Sequence, residues 1–152
     1  ELGTHAPLEA ERGYHVMFPD QEIRLRVAVM SADRYIAVTH MTKGVRATGV
    51  AEFAAPDAAP DMANARMVRR QAEALIPALK ADRVDELMGP RPSHPDSKPM
   101  IGRSPRHSNV YFAFGHDHIG LALGGITGKL IGELATGRPP SVDLTPFRPD
   151  RF

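Results

Sequence analysis

The chain has 152 residues, 42% hydrophobic and 24% charged, and its 19 Lys and Arg against 18 Asp and Glu leave a formal charge of +1. That is one domain's length of ordinary soluble composition, enough for a core, without the positive excess that a nucleic acid or an anionic membrane surface requires. The absence of cysteine removes disulfides, thiolate nucleophiles, cysteine-held metals and iron–sulfur clusters, and a flavin attached through sulfur; no apolar run reaches the ~20 residues of a membrane span. The opening Glu1-Leu2-Gly3-Thr4-His5 has no basic leader, apolar segment or initiating methionine. We therefore expect no signal peptide, and a piece of a longer protein. Tyr14-His15-Val16-Met17-Phe18 reads as a strand ended by Pro19-Asp20. Leu25, Val27 and Val29 alternate with Arg24, Arg26 and Ala28, the period of a second, half-buried strand. Tyr35 to His40 and Val45 to Phe53 form a third and fourth, joined across Thr42-Lys43-Gly44 as a hairpin loop. Strands on such short links predict an antiparallel meander.

From Asp61 to about Ile76 the period changes. Met62, Ala65, Val68, Ala72, Leu75 and Leu79 recur at helical steps, with Arg66, Arg69, Arg70 and Glu73 off the stripe. Asp61 is the expected N-cap and Pro77 the stop. Arg83 to Met88 reads as another strand entering a proline-braced ribbon, Gly89 to Pro105. Val110 to Phe114 lacks polar relief and is expected to be buried on both faces. The final helix, Ile119 to about Thr136, carries two stripes. Ile119, Leu123, Ile126, Leu130 and Leu134 form a core face, whereas Gly120, Gly124, Gly128 and Gly132 recur every fourth residue on another side. Interior glycines cost about 1 kcal/mol each relative to alanine, so a close neighbour, backbone or ligand, is expected along them. Gly137 is the expected C-cap, and the proline-rich tail is laid over the surface.

A strand that delivers Gly115-His116-Asp117-His118 to a helix N-terminus can present N–H groups to an anion or an electron-rich oxygen. Simple tight packing of a turn is the other reading. The order G-x-R-P (Gly89 to Pro92), x-P-D-x-x-P-x-I-G (His94 to Gly102), a short apolar strand, G-H-x-H-x-G-L (Gly115 to Leu121) and a helix ending in T-G-x-L-I-x-E-L-x-x-G (Thr127 to Gly137) resembles the C-terminal part of FAD-dependent amine oxidoreductases. These are the D-amino-acid oxidase, glycine oxidase and D-amino-acid dehydrogenase group. Upstream, Glu11 to His15 and Gly44 to Phe53 resemble strands of its substrate domain, and the likeness is nearest to the D-amino-acid dehydrogenase branch.

The resemblance implies an α+β fold. A mainly antiparallel sheet covered by a helix forms the substrate-binding portion, residues 8–108, and residues 109–152 supply the C-terminal strand, helix and tail of the FAD-binding domain. The family's G-x-G-x-x-G fingerprint is absent from the sequence, so the N-terminal FAD-binding segment is an expected partner. Self-association of the exposed apolar surface is expected as well. The implied reaction is oxidative deamination of a D-amino acid, with hydride passing from Cα to non-covalent FAD and the imine then hydrolysing. A secondary-amine substrate (sarcosine, proline or opine type) and a non-catalytic binding or subunit module are the alternatives. Arg91 matches the arginine that pairs with the substrate carboxylate, a structural brace being its other reading; Tyr14, Tyr35 and His40 lie on substrate-facing strands, where sheet packing is the alternative. Gly115, His116, His118, Gly120, Leu121 and Ala122 would lie beside the flavin, and Asp117 stands where a small residue is common. A carboxylate there opposes an anionic flavin unless it turns away or caps the helix. No general base can be named, and His116 and His118 with one carboxylate make no metal-ligand pattern. The expected location is the cytoplasm, free or peripheral to the inner face of a membrane.

Overall fold

The structure, a computed structural model, describes residues 2–55 and 57–152. Glu1, the first residue of the opening pentapeptide, lies outside the described residues, as does Pro56. Contacts divide the chain into two units, a contiguous Arg12–Pro90 and a split one made of Glu1–Glu11 with Arg91–Phe152.

Strands β1 (Glu9–Phe18), β2 (Val29–Ser31), β3 (Ile36–Met41), β4 (Gly44–Phe53) and β5 (Asp85–Ser93) form one sheet in the order β2-β3-β4-β1-β5. The β2–β3 and β3–β4 pairs are antiparallel. The expected meander is confined to those three strands, because β1 lies on the far side of β4 and not beside β2. The second predicted strand is corrected too. Residues 22–28 are irregular, Leu25 packs at the edge of the core, and Val27 is 72% exposed. Alternation with arginine produced a strand-like pattern there, but β2 starts only at Val29.

In the Arg12–Pro90 unit, strand alternation turns Tyr14, Val16 and Phe18 of β1, Ile36 and Val38 of β3, and Val45 and Ala47 of β4 into one core. Helix α1 (Ala63–Leu75) covers β3 and β4 with Ala65, Val68 and Ala72, the inner part of the predicted stripe. The Asp61 carboxylate accepts the Ala63 N–H at 2.9 Å, as a cap would, although the helix is bounded by Met62. At the first residue of β4, Gly44 has φ +130°, and an added Cβ would lie 2.2 Å from the Phe18 carbonyl oxygen. The hairpin therefore requires glycine there. Arg12, 1% exposed, donates to the carbonyls of Ala55, Ala58 and Ala59 and so anchors the loop that leads to α1.

In the other unit, β6 (Met100–Arg103) pairs antiparallel with β7 (Tyr111–Phe114), and helix α2 (Gly120–Ala135) packs on both. Three features differ from expectation. The proline-rich ribbon contains the end of β5 and all of β6. Strand β7 is half-buried, with Ala113 exposed. The buried side of α2 runs through Leu123, Thr127, Leu130 and Leu134, leaving Ile119 and Ile126 mostly outside it. The Gly137 N–H meets the Leu134 carbonyl at 3.2 Å and the Arg138 N–H meets that of Glu133 at 2.8 Å, closing the helix as expected. The tail is pinned by Arg151, whose Nε and Nη2 grip the Asp96 carboxylate at 2.9 and 3.2 Å. Its remaining donors reach the carbonyls of Lys98, Phe147 and Arg148.

Candidate functional site

The chemically richest cluster lies within the split unit, where the ends of β1 and β5 meet the turn before α2. Glu11 comes from β1, Arg91 and Ser93 from β5, and Gly115 to His118 from the link between β7 and α2. Arg91 Nη1 donates to Glu11 Oε1 at 2.9 Å, and Ser93 Oγ lies 3.4 Å from Glu11 Oε2. The Arg91 side chain is 28% exposed, and its Nε and Nη2 have no partner among the described residues. A guanidinium with two free, parallel donors can take a carboxylate bidentately.

The turn is fixed at each residue. Gly115 has φ +77°, and a Cβ there would lie 2.3 Å from His94 Cδ2, so the buried His94 ring selects glycine. His94 is itself bracketed by Phe114 and Phe152, with ring centroids 5.6 and 5.5 Å away, and its Nδ1 lies 3.3 Å from the Pro7 carbonyl. Burial lowers the His94 pKa below its usual value. His116 Nε2 lies 2.9 Å from the buried Thr127 Oγ1, tying the turn to α2, and burial lowers its pKa as well.

Asp117 occupies the left-handed region at φ 52°. Its carboxylate contacts His118 Nδ1 at 3.2 Å and shares the cluster with Glu11 and Ser93. Burial opposes its ionisation, but the neighbouring polar groups of Glu11, His118 and Ser93 outweigh burial and hold the carboxyl below its ordinary pKa, although its buried Oδ1 has no well-formed hydrogen bond among the described residues. No side chain caps the N-terminus of α2, and the Asp117 carboxylate lies instead beside Glu11, His118 and Ser93. Donor atoms of Glu11, Asp117 and His118 lie within 4.8 Å of one another, close enough to share a cation in principle, although Arg91 already neutralises Glu11.

The remaining sequence-predicted cofactor residues sit at the start of α2. Gly120 is half-buried against His116, Ala122 is exposed, and Leu121 is 100% exposed. Gly124, Gly128 and Gly132 have no neighbour within 4 Å of an added Cβ, so nothing in the described chain approaches that stripe. An open cavity of about 350 Å³ is lined by Leu2, Thr4, Ala6, Phe112 and Phe114.

The sequence-predicted substrate residues other than Arg91 lie in the Arg12–Pro90 unit. Tyr14 is fully buried; its hydroxyl donates to Glu52 Oε2 at 2.5 Å and accepts from the Asp61 N–H at 3.0 Å. Tyr35 is 81% exposed at φ 54°, in the turn before β3 and not on a strand. His40 is half-buried in β3, opposite Val45. Glu11, Ser93, His94 and Thr127 were not singled out as site residues; only the capture of a loop glycine by a histidine's ring and long-range pairing reveal them.

Residues 1–134 match the family described as FAD dependent oxidoreductase, DAO. The D-amino-acid oxidase of Bradyrhizobium diazoefficiens is 39% identical over 155 residues, covering 99% of this chain and 37% of that protein. The D-amino acid dehydrogenase of Paramagnetospirillum magneticum is 29% identical, over 99% of this chain and 36% of the relative. In structure, the glycine oxidase of Geobacillus kaustophilus superposes with a TM-score of 0.86 at 21% identity, covering 99% of this chain and 41% of that one. The chain thus spans little more than a third of the curated relatives' length.

Proposed function

The chain belongs to the DAO family of FAD-dependent oxidoreductases, and from that premise we propose that it is the C-terminal part of a flavoprotein that oxidatively deaminates D-amino acids. The observation that carries this reading is the Arg91 side chain, held on one nitrogen by Glu11 and offering its other edge without a partner among the described residues. Its two parallel donors match an amino acid's carboxylate and would orient the Cα that reacts. Within the Arg12–Pro90 unit Tyr35 and His40 remain candidate substrate residues, and Tyr14, with its hydroxyl engaged on both sides, would shape the sheet there. Residues 8–108 then serve the substrate and residues 109–152 the cofactor.

FAD is the family's cofactor, and when bound it accepts the two electrons of the substrate's Cα–H bond. The residues here fit it. The first turn of α2, Gly120 to Ala122, carries no side-chain cap and includes the fully exposed Leu121. Its backbone N–H groups could steady negative charge on the ring. His116, tied to Thr127, would hold the turn's path, with Gly115 and His118 on either side of it. Among the described residues no helix is long and apolar enough to cross a membrane.

Arg91→Lys in the full-length, FAD-loaded protein tests the reading, since a point charge then replaces the fork. Loss of about 2 kcal/mol in kcat/KM is expected, the scale of a charged hydrogen-bonded contact. An unchanged kcat/KM for D-amino acids removes Arg91 from the site. Glycine oxidases are also among the relatives, including one from Pseudomonas putida at 29% identity. Glycine presents the same carboxylate, so turnover across glycine, D-alanine and a secondary amine decides the side chain.

A further inference from the structure

We propose that Glu11 is the positioning residue of Arg91, setting which edge of the guanidinium meets the substrate; this rests on the reading of Arg91 as the carboxylate anchor. Glu11 takes Nη1 at 2.9 Å and leaves Nε and Nη2 without a partner among the described residues. The same molecule shows what that free edge does: in Arg151, Nε and Nη2 hold the Asp96 carboxylate at 2.9 and 3.2 Å. Arginine's five donors form a rigid fork, so occupying Nη1 closes the end-on approach and leaves the side-on one.

Glu11 is suited to the task. Its side chain is 14% exposed, it is carried on a strand, and its second oxygen has Ser93 at 3.4 Å. Without it, Arg91 would be free to rotate among several rotamers and would have to be ordered by each incoming substrate. A Glu11 carboxylate oxygen also lies within 4.8 Å of the Asp117 carboxylate in the turn before α2, so one carboxylate holds the proposed substrate anchor and borders the proposed cofactor turn. No spacing in the sequence signals this, because the two partners are 80 positions apart.

The test uses the full-length, FAD-loaded protein with whichever of D-alanine and glycine it oxidises, and propionate as a carboxylate probe read by flavin absorbance. Glu11→Gln should raise KM and the propionate Kd together by about tenfold, with kcat changing less than about twofold, the pattern of lost anchoring. Glu11→Asp, which keeps the charge but draws it back by a methylene, should fall between wild type and Glu11→Gln. The double variant Glu11→Gln/Arg91→Lys should bind propionate no worse than Arg91→Lys alone, because both changes act on one contact. Additive losses, or an unchanged propionate Kd in Glu11→Gln, overturn the inference. If Glu11→Gln is not recovered with FAD, Glu11→Asp decides by the same ratio, an unchanged Kd again overturning it. Arg91→Lys separates the two levels. If it leaves propionate binding intact, the anchor itself is misassigned; if it weakens binding while Glu11→Gln does not, only the positioning role fails.

Discussion

Each of the two units is held together internally by a different means. The Arg12–Pro90 unit rests on a contiguous apolar core, with Tyr14, Val16, Phe18, Val38, Val45, Val68 and Leu79 all essentially inaccessible. The split unit buries few large apolar side chains, chiefly Met100, Ile101 and Leu130, and encloses Ser93, His94, Ser104 and Thr127 instead. Its order comes from directional contacts: Arg151 on Asp96, His116 on Thr127, Arg91 on Glu11. Apolar burial is tolerant of small shifts, whereas hydrogen bonds demand a defined geometry. The unit built from the second kind is the one whose groups would have to be placed against a ligand.

The largest effect expected from this contrast is in the core. Phe18→Ala should destabilise the protein by about 3–5 kcal/mol, read from denaturant unfolding. A loss under about 1 kcal/mol would show that the apolar core is not what carries that unit. Next comes Arg151→Ala, which removes a fork on Asp96 and three carbonyl contacts. Because Asp96 is partly exposed, about 2 kcal/mol is expected, together with faster proteolysis of residues 140–152. Equal cleavage in variant and wild type would mean that the tail is held by packing, for example of Pro149 against Gly102.

What the sequence disclosed follows the same line. Elements with apolar periodicity were legible: β1, β3, β4, α1 and α2 were expected within a few residues, apart from an earlier start of β1. Strand β6 was not, since Met100-Ile101-Gly102-Arg103 is too short to show a period and sits among prolines. The part of the second predicted strand before Val29 shows the converse, alternation without partners for the backbone. At the site, Arg91 and the turn before α2 were legible only as family-like motifs. Their holders, Glu11, Ser93 and His94, reach across 80 or more positions, which local patterning does not register.

A third, smaller effect sharpens the comparison on the open face of α2. Since nothing in the described chain lies within 4 Å of a Cβ added at Gly124, Gly124→Ala should stabilise the isolated chain by about 1 kcal/mol. In the full-length protein, the bulkier Gly124→Leu should release FAD or prevent folding if flavin or backbone does pack there. A stable, yellow and active Gly124→Leu protein would show that the stripe has no close neighbour at all.

The smallest effect is in pH dependence. His94 and His116 both have pKa values lowered by burial. Above their usual value of 6.5 both the folded and unfolded chains are neutral there. As the pH falls below it, the unfolded chain takes up protons first, so stability should decline until the lowered folded values are passed. His116→Gln should flatten that slope. An unchanged slope would mean that His116 is not sheltered.

The division of the chain also sets an order of assembly. Arg12–Pro90 is contiguous, while Glu1–Glu11 forms its unit with Arg91–Phe152, which is made last. Joining Glu11 to Arg91 across a flexible loop would cost about 4 kcal/mol in chain entropy by the logarithmic rule for a separation of 80 residues. Strands β1 and β5, which carry Glu11 and Arg91, are neighbours in the sheet, so pairing of these two strands makes a distant ion pair a local one.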